Sequence, residues 1–188
     1  AFHHMFSKAE KKNDLYEIEI ETKDGDVFSV TSQYLINAAG LNCDTVAANC
    51  GIDIEKANYK INYAKGHYFR IKPGKSNLAN HLIYPTPQKK LAGLGIHLTI
   101  DMSGSLKLGP DVQFLNSRTL DYSVPETLQE KFYLAATRYL DELEFDDLSP
   151  DQAGIRPKLQ TEGGDFRDFV IQEESSKGLA SLINLIGL

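Results

Sequence analysis

The chain has 188 residues, enough to bury a real core in one domain or slightly more, and its 20 basic and 26 acidic side chains leave it at net −6. That balance argues against a nucleic-acid partner, whose binding needs a concentrated basic stripe. No apolar run is long enough to cross a bilayer and no signal-peptide pattern opens the chain, so the sequence reads as a soluble, cytoplasmic protein, with peripheral membrane association the alternative for a longer form.

His3 and His4 stand in what reads as a disordered start, not a metal site. Residues 16–22 (YEIEIET) alternate strictly, 23–26 (KDGD) form a turn, and 27–31 run extended again, which predicts a β-hairpin. Residues 33–39 read as a short apolar strand buried on both faces, closed by Gly40. A helix is predicted over 44–50, capped by Gly51, with Cys43 and Cys50 as small buried hydrophobes: their spacing fits neither a zinc knuckle nor a redox pair.

Residues 60–72 predict a long strand bent at Lys65-Gly66, and 82–85 a short one stopped by Pro85 and Pro87. In 91–110 (LAGLGIHLTIDMSGSLKLGP), Leu94, Ile96, Leu98 and Ile100 alternate with Gly95, His97 and Thr99. Met102-Ser103-Gly104 suits a three-residue hairpin loop, after which Leu106 and Leu108 resume the alternation. Pairing Asp101 with Ser105 sets Ile100 against Leu106, Thr99 against Lys107, Leu98 against Leu108 and His97 against Gly109; a one-residue slip mixes the faces. His97 is then on the non-core, wet face, opposite a residue without a side chain, where a ligand could approach; a solvent-facing or partly packed histidine is the alternative.

Ser123-Val124-Pro125-Glu126 has the pattern of a capping box, and Leu128, Phe132, Ala135, Tyr139 and Leu143 follow at helical spacing. This predicts a long amphipathic helix of roughly five turns, fraying at its acidic end over 141–147. Residues 149–159 read as a loop, 161–165 as a turn, 168–172 as a strand, and 182–188 as a terminal strand. The expected fold class is α+β: a mainly antiparallel sheet under one long helix, with a smaller α/β remnant.

The chain has no GxxxxGK[ST] phosphate loop, no HExxH and no GxSxG elbow, and its Gly93-Leu94-Gly95 lies in a strand rather than between strand and helix. Arg156, held extended by Pro157, suits two parallel bonds to a carboxylate; a surface arginine paired with a nearby aspartate is the alternative. Tyr63, Tyr68 and Tyr84 either line a pocket or pack the sheet, and Lys65 and Lys107 either add positive field to that pocket or stand in solvent.

Five segments occur in the order seen in L-2-hydroxyglutarate dehydrogenases and oxidases: 36–40 (INAAG), 64–69 (AKGHYF), 83–87 (IYPTP), 95–110 (GIHLT followed by GSLKLGP) and 153–157 (AGIRP). The chain resembles this group, which belongs to the FAD-dependent D-amino-acid oxidase-like (DAO) superfamily, from about residue 16 onward. The resemblance implies a flavoenzyme that oxidises a small 2-hydroxy acid and passes its electrons to a quinone or to oxygen. It implies His97 as the base, for which a neutral imidazole is suited, Arg156 as the clamp on the substrate carboxylate, and Lys65 near substrate or flavin; Tyr84 and Lys107 are set beside the substrate by their own strand positions. It implies Ala39, Gly40, Gly66 and Gly154 at the FAD, which itself carries the redox step.

On that resemblance, residues 1–58 are a partial FAD-binding domain, 59–159 the substrate domain, and 160–188 the return toward the FAD-binding domain. The family's GxGxxG turn is absent from these residues, and the apolar run at 182–188 stops short of the family's glycine-rich turn and helix. The chain is therefore expected to be an excerpt that does not retain FAD or turn over alone. The other readings are an amine or amino-acid oxidase, or a glycerol-3-phosphate dehydrogenase, of the same superfamily, and a non-catalytic domain that holds a carboxylate or a protein partner.

Overall fold

The computed structural model describes residues 2–86 and 95–188. The chain forms two compact units, one of Ala1–Asn62, Pro157–Thr161 and Asp165–Leu188, the other of Tyr63–Arg156 and Glu162–Gly164. Strands dominate both, and helices are few and short.

In the first unit, β1 (His4–Lys12), β2 (Leu15–Thr22) and β3 (Val27–Ser32) form an antiparallel sheet in that order. The β2–β3 hairpin follows from strict alternation, with Ile18 opposite Val30 and Ile20 opposite Phe28. His3 and His4 do not belong to a disordered start: His4 opens a nine-residue strand paired with β2. A register shift between Phe6 and Lys8 breaks the period of two, and ion pairs such as Lys8–Glu19 at 3.6 Å secure a strand whose sequence reads as polar.

A second sheet has the order β10 (Val170–Glu174), β11 (Leu179–Ile186), β4 (Leu35–Asn37), with β11 and β4 parallel. β4 is shorter than predicted and is not buried on both faces, since Ile36 is 60% exposed. Its polar residue is what the interior holds. Asn37 donates to the Asn184 side chain at 2.7 Å and to the Cys43 carbonyl at 2.7 Å. Asn184 and the Tyr59 hydroxyl both donate to Glu174, which is fully buried. Buried polar groups persist when every member finds a partner. Helix α1 (Cys43–Asn49) follows β4, and both cysteines are buried and free, the Cys50 thiol pushed up to about 11 by burial.

The second unit is built on β5 (Asn62–Ile71). β6 (Leu98–Ile100) and β7 (Leu106–Leu108) form the predicted hairpin in the predicted register, Leu98 facing Leu108, Thr99 facing Lys107 and Ile100 facing Leu106. The Asp101 N–H donates to Ser105 and the Gly109 N–H to His97, which extends that register at both ends. Leu94, Gly93 and Pro87, which the sequence reading also used, lie outside the described residues.

β7 and β8 (Gln113–Phe114) follow one another along one edge of β5, at Phe69–Arg70 and at Ala64–Lys65. The other edge of β5 is taken by β9 (Leu148–Lys158). β9 corrects the predicted loop over 149–159. Pro150, Gly154 and Pro157 punctuate it, yet a strand paired on one side tolerates proline on its free edge. β5 runs unbroken through Lys65-Gly66. Gly66 is there for a close approach: a Cβ would lie 2.8 Å from the Pro110 side chain and 3.1 Å from the Asp111 carbonyl.

One face of this sheet carries Phe69, Ile71, Leu98, Leu106 and Leu108, all buried, under Phe132 and Ala136 of α2 (Gln129–Ala136). The Phe69 and Phe132 rings are 4.6 Å apart. The long helix is a correction: α2 has eight residues, preceded by a 3₁₀ turn at Glu126–Leu128 with no side-chain cap. Ser123, the expected cap, donates to Asp121 instead. Leu143 is still buried, but beyond the end of the helix, so its spacing marks a core position rather than continuous helix. The acidic stretch leaves the helix altogether. Asp147 is buried, closes a capping box with Glu144, and is paired with Lys72 and Lys75.

Gly104 and Gly109 both have positive φ, +81° and +131°, but only Gly109 is also crowded, since a Cβ there would lie 2.6 Å from the His67 carbonyl oxygen. Gly104→Ala is therefore expected to cost about 1 kcal/mol of stability and Gly109→Ala at least about 3 kcal/mol. Urea unfolding midpoints of the two variants check this; equal losses contradict it.

Candidate active site

Strand alternation in the second unit separates two faces. Opposite the helix-covered face, an outer face carries Gly66, Tyr68 and Arg70 of β5, with Lys107 of β7 and Thr99 of β6 in register beside them. His97, two residues before Thr99, falls on this face with Gly109 across from it.

His97 is not solvent-washed as its position in the alternation suggests; it is 7% exposed. The half-exposed Tyr84 ring covers it, stacked at 4.4 Å between centroids and 20° between planes. This stacking follows from the bridge between Ile83 and Leu98, which sets Tyr84 beside His97. The Tyr139 hydroxyl donates to the Ile96 carbonyl at 3.2 Å and steadies the segment from behind, burial having pushed that phenol up to about 12. The imidazole Nδ1 lies 3.0 Å from the Gly95 carbonyl oxygen. A carbonyl only accepts, so Nδ1 is the donor in this bond, and in the neutral imidazole Nε2 then keeps a lone pair.

Opposite His97, the crossover Gly109-Pro110-Asp111 is held against β5. Gly109 has no room for a side chain because the Tyr68 ring and the His67 carbonyl occupy it. Asp111 accepts from the His67 N–H at 2.8 Å, from the His67 imidazole Nδ1 at 2.8 Å, and from Lys131 at 2.6 Å. Burial pushes the Asp111 carboxyl up, but the bonds from Lys131 and His67 outweigh it and hold the group below its usual range.

The predicted site residues separate. His97 and Tyr84 are together. Lys107 shares their face and pairs with Asp151 at 2.8 Å, which also takes Arg70 Nη2 at 2.8 Å. Gly66 lies on the same strand face against Pro110. Lys65 does not join them: alternation sends it to the helix-covered side, where it is 3% exposed and bound to Asp121 at 2.8 Å. That bond, with those from Ser123, draws the Asp121 carboxyl well down.

Arg156 is exposed near the end of β9, five residues after Asp151, and has no ion pair among the described residues. Gly154 is exposed with open space beside its Cα. Ala39 and Gly40 belong to the first unit and end parallel strand β4. Gly40 has φ +55° and nothing within 4 Å of where a Cβ would stand. An open backbone at the carboxyl end of a parallel strand is where α/β sheets receive ligands, so these residues fit one part of a dinucleotide such as FAD. Among the described residues no cluster of histidine, cysteine and acidic groups forms a metal site, and no helix is long and apolar enough to cross a membrane.

Arg70, Asp111 and Asp151 had no sequence signal of their own. Each acquires its place from the long-range pairing of β5 with β7, β8 and β9.

Residues 8–187 match the family model DAO, FAD dependent oxidoreductase. Among curated relatives, the mitochondrial L-2-hydroxyglutarate dehydrogenase of Arabidopsis thaliana is 37% identical over 165 residues, covering 82% of this chain and 33% of that protein. The L-2-hydroxyglutarate dehydrogenase of Escherichia coli K12 is 31% identical over 116 residues, covering 60% of this chain and 26% of the relative. The L-alpha-glycerophosphate oxidase of Mycoplasma pneumoniae, solved with FAD bound, superposes with a TM-score of 0.71 at 16% identity, over 98% of this chain and 44% of that one. That likeness is one of fold. The chain thus spans between a quarter and a half of the length of these proteins.

Asp111→Asn is expected to lower stability by about 2 kcal/mol at neutral pH, because it weakens bonds to a buried imidazole and a backbone N–H. A carboxylate whose folded pKa is depressed contributes above its unfolded value, about 3.9, and loses that contribution as pH falls through the folded value. The gap between parent and variant unfolding midpoints therefore closes as pH falls below about 4. A gap of equal size at pH 3 and pH 7 contradicts the assignment.

Proposed function

This chain belongs to the DAO family of FAD-dependent oxidoreductases, and from that premise we propose that the whole protein oxidises a small 2-hydroxy acid to the 2-oxo acid. L-2-hydroxyglutarate, named in the curated relatives, is the substrate we assign. The observation that carries this reading is the imidazole of His97, whose Nδ1 is committed to the Gly95 carbonyl while Nε2 is left as an acceptor.

Arg156 carries a guanidinium fork suited to a carboxylate, but near the end of β9, five residues after Asp151, it is not brought beside His97, so the substrate C1 carboxylate is assigned to no residue of this face. The C2 hydroxyl donates to His97 Nε2, which takes its proton as the C2–H bond breaks, so that the carbonyl forms and the hydride leaves C2. Tyr84, stacked on the ring, keeps the imidazole from rotating and walls one side of the site. Lys107 lies on the same face, its charge offset by Asp151 and Asp101. Ala39 and Gly40 would hold part of the FAD, which when bound would supply the two-electron acceptor, with a quinone or oxygen as the final acceptor.

In the full-length holoprotein, His97→Ala is expected to lower kcat about 100-fold or more with a small change in KM. Steady-state kinetics with 2-hydroxyglutarate check this, and parent-like constants in the variant contradict the assignment.

A further inference from the structure

Ile83 and Leu98 form an antiparallel bridge in which each N–H donates to the other's carbonyl, at 3.2 and 2.9 Å. In such a ladder the pair next to a hydrogen-bonded pair has no bonds of its own and brings its side chains closest together. Tyr84 and His97 are that next pair. Pro85 holds Tyr84 extended, and Gly95 leaves room for the proline, since a Cβ there would lie 3.3 Å from Pro85 Cγ. The tyrosine ring is thereby fixed flat over the imidazole, 4.4 Å between centroids and 20° between planes. The cover is one-sided: His97 is 7% exposed and Tyr84 50%.

Among the described residues no carboxylate pairs with His97, because the charged groups on the neighbouring segments are engaged elsewhere. Lys107 pairs with Asp101 and Asp151, and Asp111, beyond Gly109, takes His67 and Lys131. The Tyr139 hydroxyl is committed to the Ile96 carbonyl, and the Tyr68 ring lies against Gly109. A positive charge on the His97 ring therefore meets the Gly95 carbonyl at Nδ1 and the face of Tyr84.

We propose that the ring face of Tyr84 stabilises the positive charge that His97 acquires during the reaction. This rests on the reading of His97 as the base. When Nε2 takes the proton of the substrate hydroxyl, the O–H electron pair becomes the second bond of the carbonyl, the hydride leaves C2 for the flavin, and the imidazole becomes an imidazolium. The face of an aromatic ring is the negative end of its quadrupole, and a cation within about 6 Å of the centroid is attracted to it far more than a neutral ring is. The stack is thus stronger after proton transfer than before it, and only an interaction that strengthens toward the transition state raises kcat. Tyr84 acts through His97, which makes it a positioning residue rather than a catalytic one.

The test is the pH profile of kcat/KM for 2-hydroxyglutarate, measured on the full-length holoprotein with Tyr84→Leu, which removes the π face, and Tyr84→Phe, which keeps it. A base acts when neutral, so activity rises with pH as His97 loses its proton, and a neighbour that favours the cation sets that rise at higher pH. Tyr84→Leu is expected to move the rise down by about 0.5 to 1 pH unit and to lower the plateau of kcat about 5-fold. Tyr84→Phe is expected to stay close to the parent in both. Tyr84→Trp, with the stronger π face, is expected to move the rise upward, and it carries the test alone if the leucine variant does not fold. A leucine variant that loses activity with the rise unmoved, a phenylalanine variant that shifts as far as the leucine one, or a tryptophan variant with no upward shift overturns the role of Tyr84 while leaving the function reading intact. A rise that persists in His97→Ala, or a parent that does not oxidise the acid, removes the function reading and the role of Tyr84 with it.

Discussion

The pairing of Leu98 with Leu108 is the constraint on which the site depends. Both side chains are fully buried, and because the side-chain period of a strand is two, their burial fixes the direction of every neighbour in the hairpin. His97, Thr99, Lys107 and Gly109 are sent to the outer face as a group. A slip by one residue would bury lysine and histidine side chains beneath α2 and expose the leucines. The hydrophobic core thus orients the polar chemistry without touching it, and the three-residue loop at 102–104 ties the register to a tight turn.

The hairpin was legible in the sequence because its information is local: four alternating aliphatics, a glycine turn and two more leucines. The same holds for β2 and β3. The failures have a shared cause. Periodicity at helical spacing correctly named Phe132 and Leu143 as buried, yet the backbone reaches Leu143 beyond the end of the helix, and it named Tyr139 where Leu140 is the more buried residue. Prolines and a glycine made β9 read as a loop, although it lies at the sheet edge and needs hydrogen bonds on one side alone. β1 was hidden by a register shift that interrupts its alternation.

At the site, His97 and Tyr84 could be named from their own segments, but the reason they act together could not. Their stacking requires the bridge from Ile83 to Leu98, and the tautomer requires the Gly95 carbonyl. Lys65 shows the opposite case: a cation next to the crucial glycine in sequence is turned to the other face by alternation and bound to Asp121. Arg70 and Asp151 were invisible, since an arginine in a strand gains meaning only when the neighbouring strands are known. Charge on this face is organised by pairs, with carboxylates placed so that each cation is steadied.

The most direct measurement is a crystal structure of the full-length protein with FAD and a bound, unreacted 2-hydroxy diacid. The account predicts the ligand hydroxyl about 2.6 to 3.2 Å from Nε2 of His97, with Nδ1 still on the Gly95 carbonyl. A ligand seated away from the outer face of the sheet, or an imidazole turned so that Nδ1 meets the substrate, contradicts it.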